Sequence, residues 1–443
     1  MAVKPLSNAP MPAVSNQTRF KETEIGPLPE GWSVSSLGKL FDIQQGKAMS
    51  EESRKGPIQI PFLRTSNVLW GKIDLLTVDT MHFAEEEAKK YALRAEDLLV
   101  CEGGEVGRAA IWNNDLLGCL YQNHIHRLRR ATDDIEPRFF MYWLQEAILH
   151  RNIYEGAANK TTIPNLSSAR LKEFVVPLPP LPEQRAIAAV LSKIQSASET
   201  QGKIVSTLKE LKSATMEKIF REGLRGQKLK ETEIGPLPEG WDTTQLSKLC
   251  ELHRELTQPS PNGNRCYVGL EHIDSGISEL RRWGSERELL STKARFYPGD
   301  ILYGKLRPYL DKSVLIQTDG VCSTDILVLQ PMTDKIDAGY ISFLLHSNRF
   351  REHAVTTTKG LHHPRTSWED IKRFECPLPP LAEQRAIAAT LSKIDHSIET
   401  HRKTAEILQA GFSSMLDMLM TGKIRVDSEL GKLNIMKNKM ERE

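Results

Sequence analysis

The 443-residue chain lacks the apolar runs and cysteine patterns that mark several classes of protein. No stretch approaches the roughly 18–20 consecutive apolar residues that a membrane-spanning helix needs, and the first residues lack the apolar core of a signal peptide. The six cysteines form no CxxC pair, which is typical of reduced thiols rather than of disulfides or a zinc site. We therefore expect a soluble, cytoplasmic protein with no membrane contact.

Motifs for nucleotide and cofactor chemistry are also absent. The sequence has no GxxxxGK[ST] phosphate loop, no GxGxxG after a strand, and no Asn-Pro-Pro or Asp-Pro-Pro of an amino-methyltransferase. A metal-nuclease set could use Asp79 with residues 87–89, but this spacing is common by chance and the second repeat lacks it. Residues 103–107 could hold a phosphate, but a hairpin turn explains them better. His362 and His363 have no partner at zinc spacing. The sequence indicates a binding protein with no catalytic residues, cofactor or metal of its own.

Net charge says little about the partner. The 59 basic and 57 acidic residues give a formal charge of +2, which neither requires nor excludes nucleic acid, because local patches matter more than the total. The length predicts two or three domains, and 40% hydrophobic residues suffice for sizeable cores. Residues 1–20 are rich in Pro, Ser and Asn, and this composition predicts a disordered tail.

What the sequence does contain is a repeat through its whole length. KETEIGPLPEGW occurs at 21–32 and again, unchanged, at 230–241. PLPPLPEQRAIAAVLSKI at 177–194 returns at 377–394 with sixteen of its eighteen residues unchanged. Self-similarity at a fixed period indicates duplication of one unit of about 200 residues.

The ends of the repeated unit are nearly identical, whereas its middle keeps only a shared pattern. Residues 96–112 align with 299–315, for example, through Asp97 opposite Asp300 and little else. Near-identical ends indicate one task performed twice, and divergent middles indicate two different tasks. A lower structural tolerance of the ends would produce the same contrast, so the sequence leaves both explanations open.

Short apolar and β-branched runs punctuated by glycine predict strands and turns in both middles. Residues 138–149 and 338–347 read as short buried helices, and the whole predicts an α+β fold with two pseudo-symmetric mixed α/β domains. Pro182 followed by Glu183 is a helix start, and no proline intervenes before Arg221. Each repeat is therefore expected to end in a long helix that stops near a glycine.

Apolar residues at alternating spacings of four and three predict that the two long helices pair as an antiparallel coiled coil that separates the domains. The first helix is the less regular, because Ser198, Gln201 and Lys212 fall on its seam. The candidate helix-pairing and partner-binding residues are Ile187, Leu191 and Ile194 in the first helix and Ile387, Leu391, Ile394, Ile398 and Leu408 in the second.

Polar and basic side chains gather at predicted loops and strand ends of both middles. Arg and Lys can contact guanine, Asn and Gln adenine, and Ser, Thr and His add hydrogen bonds, so these types suit readout of base edges. A solvated surface uses the same types, but their recurrence at matched positions favours binding. The candidate DNA-binding residues are Arg64, Thr65, Asn67, Gln122, Asn123, His124, Lys160 and Thr161 in the first repeat, and Lys305, Arg307, Tyr309, Ser323, Thr324, Lys359, His362, His363 and Arg365 in the second.

These features resemble the specificity subunit of a type I restriction–modification enzyme. The resemblance rests on the two PLPPLxEQ helix starts, the two copies of IGPLPEGW and the motif GDILYGKLRPY, and it covers residues 21–425. It implies that two target recognition domains each read one half of a bipartite, asymmetric site in double-stranded DNA. It also implies a non-catalytic scaffold for two methyltransferase (modification) and two restriction (motor-nuclease) subunits, which would themselves bind S-adenosylmethionine, ATP and Mg²⁺.

The resemblance implies a division of the chain that follows the repeat. The segments are a tail (1–20), target recognition domain 1 (21–180), a conserved helix (181–225), target recognition domain 2 (226–380), a second conserved helix (381–425) and a C-terminal tail (426–443). Two alternatives stay open. A pseudosymmetric two-domain enzyme would turn over a substrate by itself, and a protein–protein adaptor would protect no unique DNA sequence together with its partners.

Overall fold

The computed structural model describes residues 19–151, 166–332, 335–360 and 362–426. The chain divides into two compact units, which we call unit 1 (residues 1–198 with 407–443) and unit 2 (199–406). Apart from residues 19, 20 and 426, the predicted tails lie outside the described residues. The predicted domain boundaries stay a prediction.

Unit 1 is a mixed α/β domain. Its strands are β1 (Phe20–Lys21), β2 (Leu28–Pro29), β3 (Ser33–Ser36), β4 (Phe41–Gln45), β5 (Gln59–Leu63), β6 (Val68–Leu69), β7 (Lys72–Ile73), β8 (Asp79–His82), β9 (Leu98–Cys101), β10 (Ala109–Ile111), β11 (Leu120–Tyr121), β12 (Ile125–Arg130) and β13 (Val175–Leu178). Its helices are α1 (Leu37–Leu40), α2 (Glu51–Lys55), α3 (Glu85–Lys90), α4 (Pro137–Leu149), α5 (Ser168–Glu173) and the first part of α6 (Leu181–Glu222).

The largest sheet of unit 1 has the order β10-β9-β12-β4 and is antiparallel. A second sheet has the order β11-β5-β8, in which β11 and β5 run parallel. All four residues of β9 are buried, and Leu98 and Val100 share one core with Phe139 and Phe140 of α4. Burial of these side chains is the main stabilising term, because apolar area is removed from water.

Unit 2 repeats this construction. Its strands are β14 (Leu229–Lys230), β15 (Leu237–Pro238), β16 (Asp242–Gln245), β17 (Cys250–Leu252), β18 (Leu256–Thr257), β19 (Cys266–Val268), β20 (Gly284–Ser285), β21 (Lys293–Phe296), β22 (Ile301–Gly304), β23 (Ser313–Leu315), β24 (Gly320–Cys322), β25 (Ile326–Pro331) and β26 (Glu375–Leu378). Its helices are α7 (Ala338–Leu344), α8 (Asn348–Thr356), α9 (Trp368–Ile371) and the first part of α10 (Leu381–Met420).

Strand order shows that the two domains share one topology. The sheet β23-β22-β25-β17 corresponds strand by strand to the four-stranded sheet of unit 1. The other sheet, β18-β21-β24-β19-β20, keeps the parallel pair as β24 and β19 and adds strands beside β24. The predicted α+β fold with two pseudo-symmetric mixed domains is confirmed.

The near-identical ends make the same buried contacts in both units. In unit 1 the Trp32 indole donates from Nε1 to Glu183 Oε2 at 3.0 Å, and in unit 2 Trp241 donates to Glu383 Oε2 at 2.9 Å. Both indoles are fully buried. A buried indole N–H needs an acceptor, so the tryptophan of one end segment depends on the glutamate of the other.

The glutamine after each of these glutamates is equally fixed. Gln184 donates to Pro179 O at 2.8 Å and accepts from Glu136 N at 2.9 Å. Gln384 makes the equivalent two hydrogen bonds in unit 2 at the same distances. The repeated Glu-Gln therefore ties the start of each long helix to its own domain.

Both long helices begin at the leucine before the helix-start signal; α6 ends directly before Gly223, and α10 ends at Met420, two residues before Gly422. Gly223 and Gly422 have φ of 69° and 68°, the left-handed conformation that glycine adopts without steric strain at a helix end. Within unit 1, Ile187 and Leu191 of α6 belong to one buried core with Phe412 of α10. The start of one helix thus packs beside the end of the other, which is the predicted antiparallel pairing.

Unit 2 contains the reciprocal arrangement, in which Ile387 and Leu391 of α10 share a core with Met216 and Ile219 of α6. In both units this core continues into the globular domain. All eight helix-pairing candidates are buried or half-buried. Five of them are 0–1% exposed, so in this structure their side chains pack within the core: Ile187, Leu191, Ile387, Leu391 and Ile398.

Two of the irregular seam positions have polar partners on the other helix. Gln201 Oε1 lies 2.6 Å from His401 Nδ1, and Lys212 Nζ lies 2.6 Å from Asp395 Oδ1. The first helix is therefore as well matched as the second, through hydrogen bonds and an ion pair instead of apolar contacts.

Candidate nucleic-acid interface

Three loops of unit 1 come together where β5, β9 and β11 end. This unit 1 loop cluster consists of residues 64–67, 102–108 and 122–124. The first and third loops are adjacent because β5 and β11 run parallel, and parallel strands place the loops that follow them at one edge of the sheet. The second loop joins them because β9 pairs with β12, which begins directly after the third loop.

Glu102 lies at the centre of this cluster. Its backbone N–H donates to His124 O at 2.9 Å, and its carboxylate accepts from Gln45 Nε2 at 2.9 Å. The His124 ring lies 3.7 Å from the same carboxylate. Arg108 closes the cluster, since its Nη2 donates to Thr65 O at 2.9 Å.

Four candidates of the first repeat lie at the surface of this cluster. Arg64 and His124 are exposed, and Thr65 and Asn123 are half-buried. The Arg64 guanidinium is paired with Asp79 at 2.7 Å, and both side chains are about half exposed. An exposed pair of this kind contributes little to stability, so Arg64 can exchange its partner for another anion.

Two candidates, Asn67 and Gln122, have side chains that point inward in this structure. Asn67 is 3% exposed: its amide donates to Asp74 O and Thr77 O at 2.9 and 2.8 Å and accepts from Arg64 N at 2.8 Å. Gln122 is 5% exposed. These amides are inaccessible to a base edge. Lys160 and Thr161 lie outside the described residues.

Unit 2 has an equivalent cluster with one loop more. The unit 2 loop cluster consists of residues 269–272, 305–311, 323–325 and 357–367, of which 361 is not described. The first three follow β19, β22 and β24, the strands that correspond to β5, β9 and β11. The fourth loop, between α8 and α9, joins them through an isolated bridge between Arg365 and Leu306, and a second bridge between Arg365 and Lys359 closes the fourth loop on itself.

Hydrogen bonds tie three of these loops, 305–311, 323–325 and 357–367, into one surface. Lys305 N donates to Asp325 O at 3.0 Å, and Arg307 N donates to Pro364 O at 2.8 Å. The Arg365 guanidinium donates from Nε to Asp325 Oδ1 at 3.1 Å. Segments separated by up to 57 residues (Arg307 to Pro364) are thereby fixed side by side.

The loop 305–311 has an uncommon backbone. Arg307 and Asp311 have φ of 52° and 51°, on either side of the short 3₁₀ turn Pro308–Leu310. A non-glycine residue in this region is strained by about 1–3 kcal/mol and persists only where its surroundings hold it. Tyr309 at the tip of the turn is 52% exposed.

The structure brings the nine candidates of the second repeat to one face. Lys305 and Ser323 are half-buried. The exposed members are Arg307, Tyr309, Thr324, Lys359, His362, His363 and Arg365. A surface that combines basic, hydroxyl, imidazole and phenol groups can contact both phosphates and base edges.

The comparison with protein families fits two domains of one topology. Residues 29–210 and 238–409 each match the model described as the type I restriction modification DNA specificity domain. The chain belongs to this family. It carries two specificity domains, and the sequence-based expectation of a non-catalytic specificity subunit is confirmed.

Known relatives of this specificity chain match it over nearly their full length. It is 26% identical over 431 residues to the type I restriction enzyme MjaVIII specificity subunit of Methanocaldococcus jannaschii, covering 93% of this chain and 97% of the relative. It is 23% identical over 433 residues to the EcoDI specificity subunit of Escherichia coli, covering 90% and 89%.

Solved structures show the same fold. A type I restriction-modification S subunit from M. genitalium matches with a TM-score of 0.58 at 16% identity, over 92% of this chain and 97% of that one. A chain from a structure of type I R-M complex assembly and conformational transition matches with a TM-score of 0.53 at 17% identity, over 90% and 99%. Specificity chains of this family act in a complex with DNA and other restriction–modification subunits.

Sequence reasoning missed the acidic members of both clusters. Glu102 and Asp325 orient the basic side chains around them, and neither was among the candidates. One signal was present: Glu102 aligns with Lys305 in the repeat, so a charge of opposite sign occupies the same place in two related loops. Arg108, which directly follows the glycine-rich turn at residues 103–107, was also not among the candidates.

In the described ranges, no helix is both long and apolar enough to cross a membrane. Among the same residues, no group of three or more His, Cys, Asp or Glu side chains could hold a metal ion. All six cysteines are free, and burial raises the pKa of the Cys101 thiol to about 11. A thiol of that pKa is a weak nucleophile at neutral pH.

Proposed function

We propose that this specificity chain directs DNA modification and restriction to a bipartite, asymmetric DNA site, with each loop cluster reading one half-site. The observation that carries the proposal is the pair of loop clusters at equivalent places on one shared topology with different side chains. Equivalent placement suits presentation to the same kind of ligand, and different side chains suit different base sequences.

In unit 1 the proposed contacts come from Arg64, Thr65, Asn123 and His124. The acidic residues of the cluster restrict where an anion can bind, because they repel phosphate. The candidates of the first repeat outside the described residues, Lys160 and Thr161, extend the same proposal.

In unit 2 the proposed contacts come from the exposed residues of its loop cluster and from Lys305 and Ser323 at its base. Arg307 and Arg365 have the forked geometry that fits guanine, whereas Lys359 is a point charge suited to phosphate. The ion pair of Arg365 with Asp325 presets the guanidinium plane. Unit 2 would therefore read a different half-site from unit 1.

We further propose that the repeated ends dock two identical modification subunits. Several residues repeated in both ends are exposed in both units, where the fold does not require their identity. They include Glu22 and Glu231, Glu24 and Glu233, Glu30 and Glu239, and Lys193 and Lys393. Two restriction subunits would join this complex in the cytoplasm, and S-adenosylmethionine, ATP and Mg²⁺ would be bound by the partner subunits.

The test is methylation with and without the partner. The purified chain should methylate no DNA when S-adenosylmethionine is supplied. With its cognate modification subunit it should direct adenine methylation to one bipartite sequence, identified by methylome sequencing. Methylation by the chain alone would support the two-domain enzyme instead, and a complex that marks no unique sequence would support the adaptor.

A further inference from the structure

A buried lysine joins helix α6 to the base of the unit 2 loop cluster. The Lys212 side chain is only 7% exposed, and its Nζ donates to Asp395 Oδ1 of α10 at 2.6 Å and to Gly276 O at 2.8 Å. The ammonium also lies 5.2 Å from the centroid of the Phe343 ring. Burial lowers the pKa of Lys212, while Asp395 opposes that shift.

Burying the Lys212 and Asp395 charges carries a desolvation penalty. Moving two charges out of water costs several kcal/mol per ion, and the mutual attraction offsets this only with good geometry. Apolar side chains of similar volume would pair the helices at least as well. The Lys212–Asp395 pair therefore calls for a reason other than helix stability.

Gly276, which accepts from Lys212, is in turn hydrogen-bonded to the loop 305–311 of the unit 2 loop cluster. Gly276 N donates to Asp311 O at 2.8 Å, and Asp311 is the last residue of the strained loop 305–311. The Asp311 carboxylate lies 2.7 Å from His346 Nδ1, and His346 Nε2 lies 3.0 Å from Ser313 O. His346 is 5% exposed, so this end of the loop is held in a buried polar network.

Unit 1 uses different chemistry at the equivalent place. The repeat aligns Lys212 with Phe412 and Asp395 with Gln195. Here the donor comes from the domain, since Tyr142 OH donates to Gln195 Oε1 at 3.0 Å, and its ring packs 5.9 Å from the Phe412 ring. In unit 2 the donor, Lys212, lies on a long helix and the aromatic residue, Phe343, lies in the domain. In unit 1 the aromatic residue, Phe412, lies on a long helix and the donor, Tyr142, lies in the domain.

The equivalent glycine of unit 1 hydrogen-bonds to a strand residue instead of a loop residue. Gly71 aligns with Gly276 and has the same left-handed backbone, with φ of 70° against 68°. Its N–H donates at 2.8 Å to Ala109 O, which belongs to strand β10 and not to a loop of the cluster. A strand residue is already fixed by its ladder, so this bond does not set the geometry of a reading loop.

We propose that Lys212 is a positioning residue for DNA readout by unit 2: through Gly276 and Asp311 it sets the geometry of loop 305–311. Readout of the unit 2 half-site then depends on the pairing of α6 with α10. Readout of the unit 1 half-site does not depend on the equivalent residues Gln195 and Phe412 through such a link. The inference rests on the proposed function, because it assumes that loop 305–311 contacts DNA.

The expected consequence is relaxed specificity rather than lost binding. Arg307 and Asp311 hold a strained backbone, and strained residues move to commoner conformations when a contact that holds them is removed. A loop with several conformations still offers positive charge to phosphate, but no longer places Arg307 and Tyr309 against one base edge.

The test removes both charges of the pair, so that neither remains buried alone. The variant Lys212→Met with Asp395→Leu is compared with Lys372→Met with Glu369→Leu, an ion pair of 2.5 Å in the same unit whose glutamate is 61% exposed. Each chain is assembled with its modification subunit and offered a DNA library randomised in both half-sites. Methylation is then scored separately for each half-site by sequencing, and the half-site altered by Arg307→Ala is assigned to unit 2.

The double variant should methylate non-cognate bases of the unit 2 half-site about tenfold more often relative to cognate bases, the size of one lost base contact. Discrimination in the unit 1 half-site should stay unchanged, as should both half-sites of the control. Equal relaxation of both half-sites, or of neither, would overturn the inference while leaving the proposed function intact. A wild-type complex that marks no bipartite site would overturn both.

If the double variant does not fold, a second variant tests the same Lys212–Gly276–Asp311 connection by changing Gly276. Gly276→Ala places a side chain on a backbone with φ of 68°, which an L-residue rarely adopts, and so displaces the bridge between Lys212 and Asp311. It should relax the same half-site. Gly71→Ala introduces the same left-handed backbone strain in unit 1, where the added Cβ also lies 2.5 Å from Gln195 Nε2, and should not relax discrimination in either half-site. Relaxation by both glycine variants alike would contradict a role specific to unit 2.

Discussion

The repeated ends and the loop clusters diverged in opposite ways after the duplication. At the ends, the Trp–Glu hydrogen bond and both bonds of the following glutamine recur in the two units within 0.1 Å. In the loop clusters the strands correspond, but Glu102 at the centre of one becomes Lys305 in the other. Buried contacts explain why part of each end could not change, since a change in one partner leaves the other unsatisfied.

The same comparison also separates the two explanations that the sequence left open. Structural intolerance accounts for the buried members of the ends, such as Trp32 and Trp241. It does not account for Glu24 and Glu233, which are exposed in both units and yet identical. The proposed docking of the modification subunits would explain the identity of these exposed residues.

The largest expected effect comes from exchanging one middle. Replacing residues 44–176 with the equivalent segment of another family member should change one half-site completely and leave the other unchanged, because each loop cluster is built within its own unit. Methylome sequencing of the complex measures both half-sites at once. A change in both would mean that the two clusters do not read independently.

Truncating the buried indoles should test whether the ends are equivalent. Trp32→Ala and Trp241→Ala should each lower the free energy of unfolding by about 3–5 kcal/mol, since each leaves a cavity and removes the indole hydrogen bond, although Glu183 keeps its hydrogen bonds from Arg425. Urea denaturation gives the measurement, and Trp283→Ala is the control because that side chain is 59% exposed. Clearly unequal losses for the two indoles would show that the ends are not equivalent in the fold.

Single contacts in unit 2 come next in size. Arg307→Ala should weaken DNA binding by about 1–3 kcal/mol and relax one position if the residue contacts a base. Lys305→Ala should weaken binding to all sequences and flatten the salt dependence if it contacts phosphate. Titrations of the assembled complex at two salt concentrations separate these outcomes, with the 59%-exposed Arg282→Ala as control. Unaltered binding in both variants would remove this loop from the interface.

Charge reversal of exposed repeated residues should affect assembly and not folding. Glu24→Lys together with Glu233→Lys should weaken association with the modification subunit about tenfold and leave the melting temperature nearly unchanged, because neither side chain is buried. Size-exclusion chromatography with light scattering measures the assembly. Glu86→Lys, an 87%-exposed glutamate outside the ends, is the matched control. Normal assembly of the double variant would assign the identity of these glutamates to something other than docking.

The smallest effect concerns acid stability of unit 2. The Arg265 guanidinium holds the pKa of Glu286 at about 2, below its ordinary 4.5. A lowered pKa stabilises the fold above the ordinary value, and this contribution is lost as the pH falls from about 4.5 to about 2. Glu286→Gln should therefore reduce stability at pH 7 and flatten the decline in acid, whereas the exposed Glu288→Gln should do neither. Equal acid slopes in urea titrations of wild type and Glu286→Gln would contradict the assignment.

Local signals were sufficient for the long helices and the strands. The proline or alanine before Glu183 and Glu383 and the glycines after each helix are short-range features, and the helices follow them as Leu181–Glu222 and Leu381–Met420. The duplicated topology followed from the repeat. The loops that would carry polar residues could also be predicted, because they lie between apolar runs.

The direction of individual side chains could not be predicted in the same way. Asn67 and Arg64 belong to one short loop, yet one side chain is buried and the other is half exposed. The difference arises because Asp74 and Thr77 return to the loop and offer carbonyl oxygens to the Asn67 amide. Residue type sets what a side chain can bind, but the neighbours that fold back against it decide whether it faces water.

The sequence by itself determined the duplication, the α+β domains, the two helices and the residue types at the loops, because all of these depend on composition and short-range periodicity. Only the tertiary structure decided which residues form each loop cluster and why Lys212 stands on a helix seam. Its partner Asp395 lies 183 residues away along the chain. A charge that looks like a break in an apolar pattern becomes stable only when folding brings its counter-charge within hydrogen-bond distance and excludes water from both.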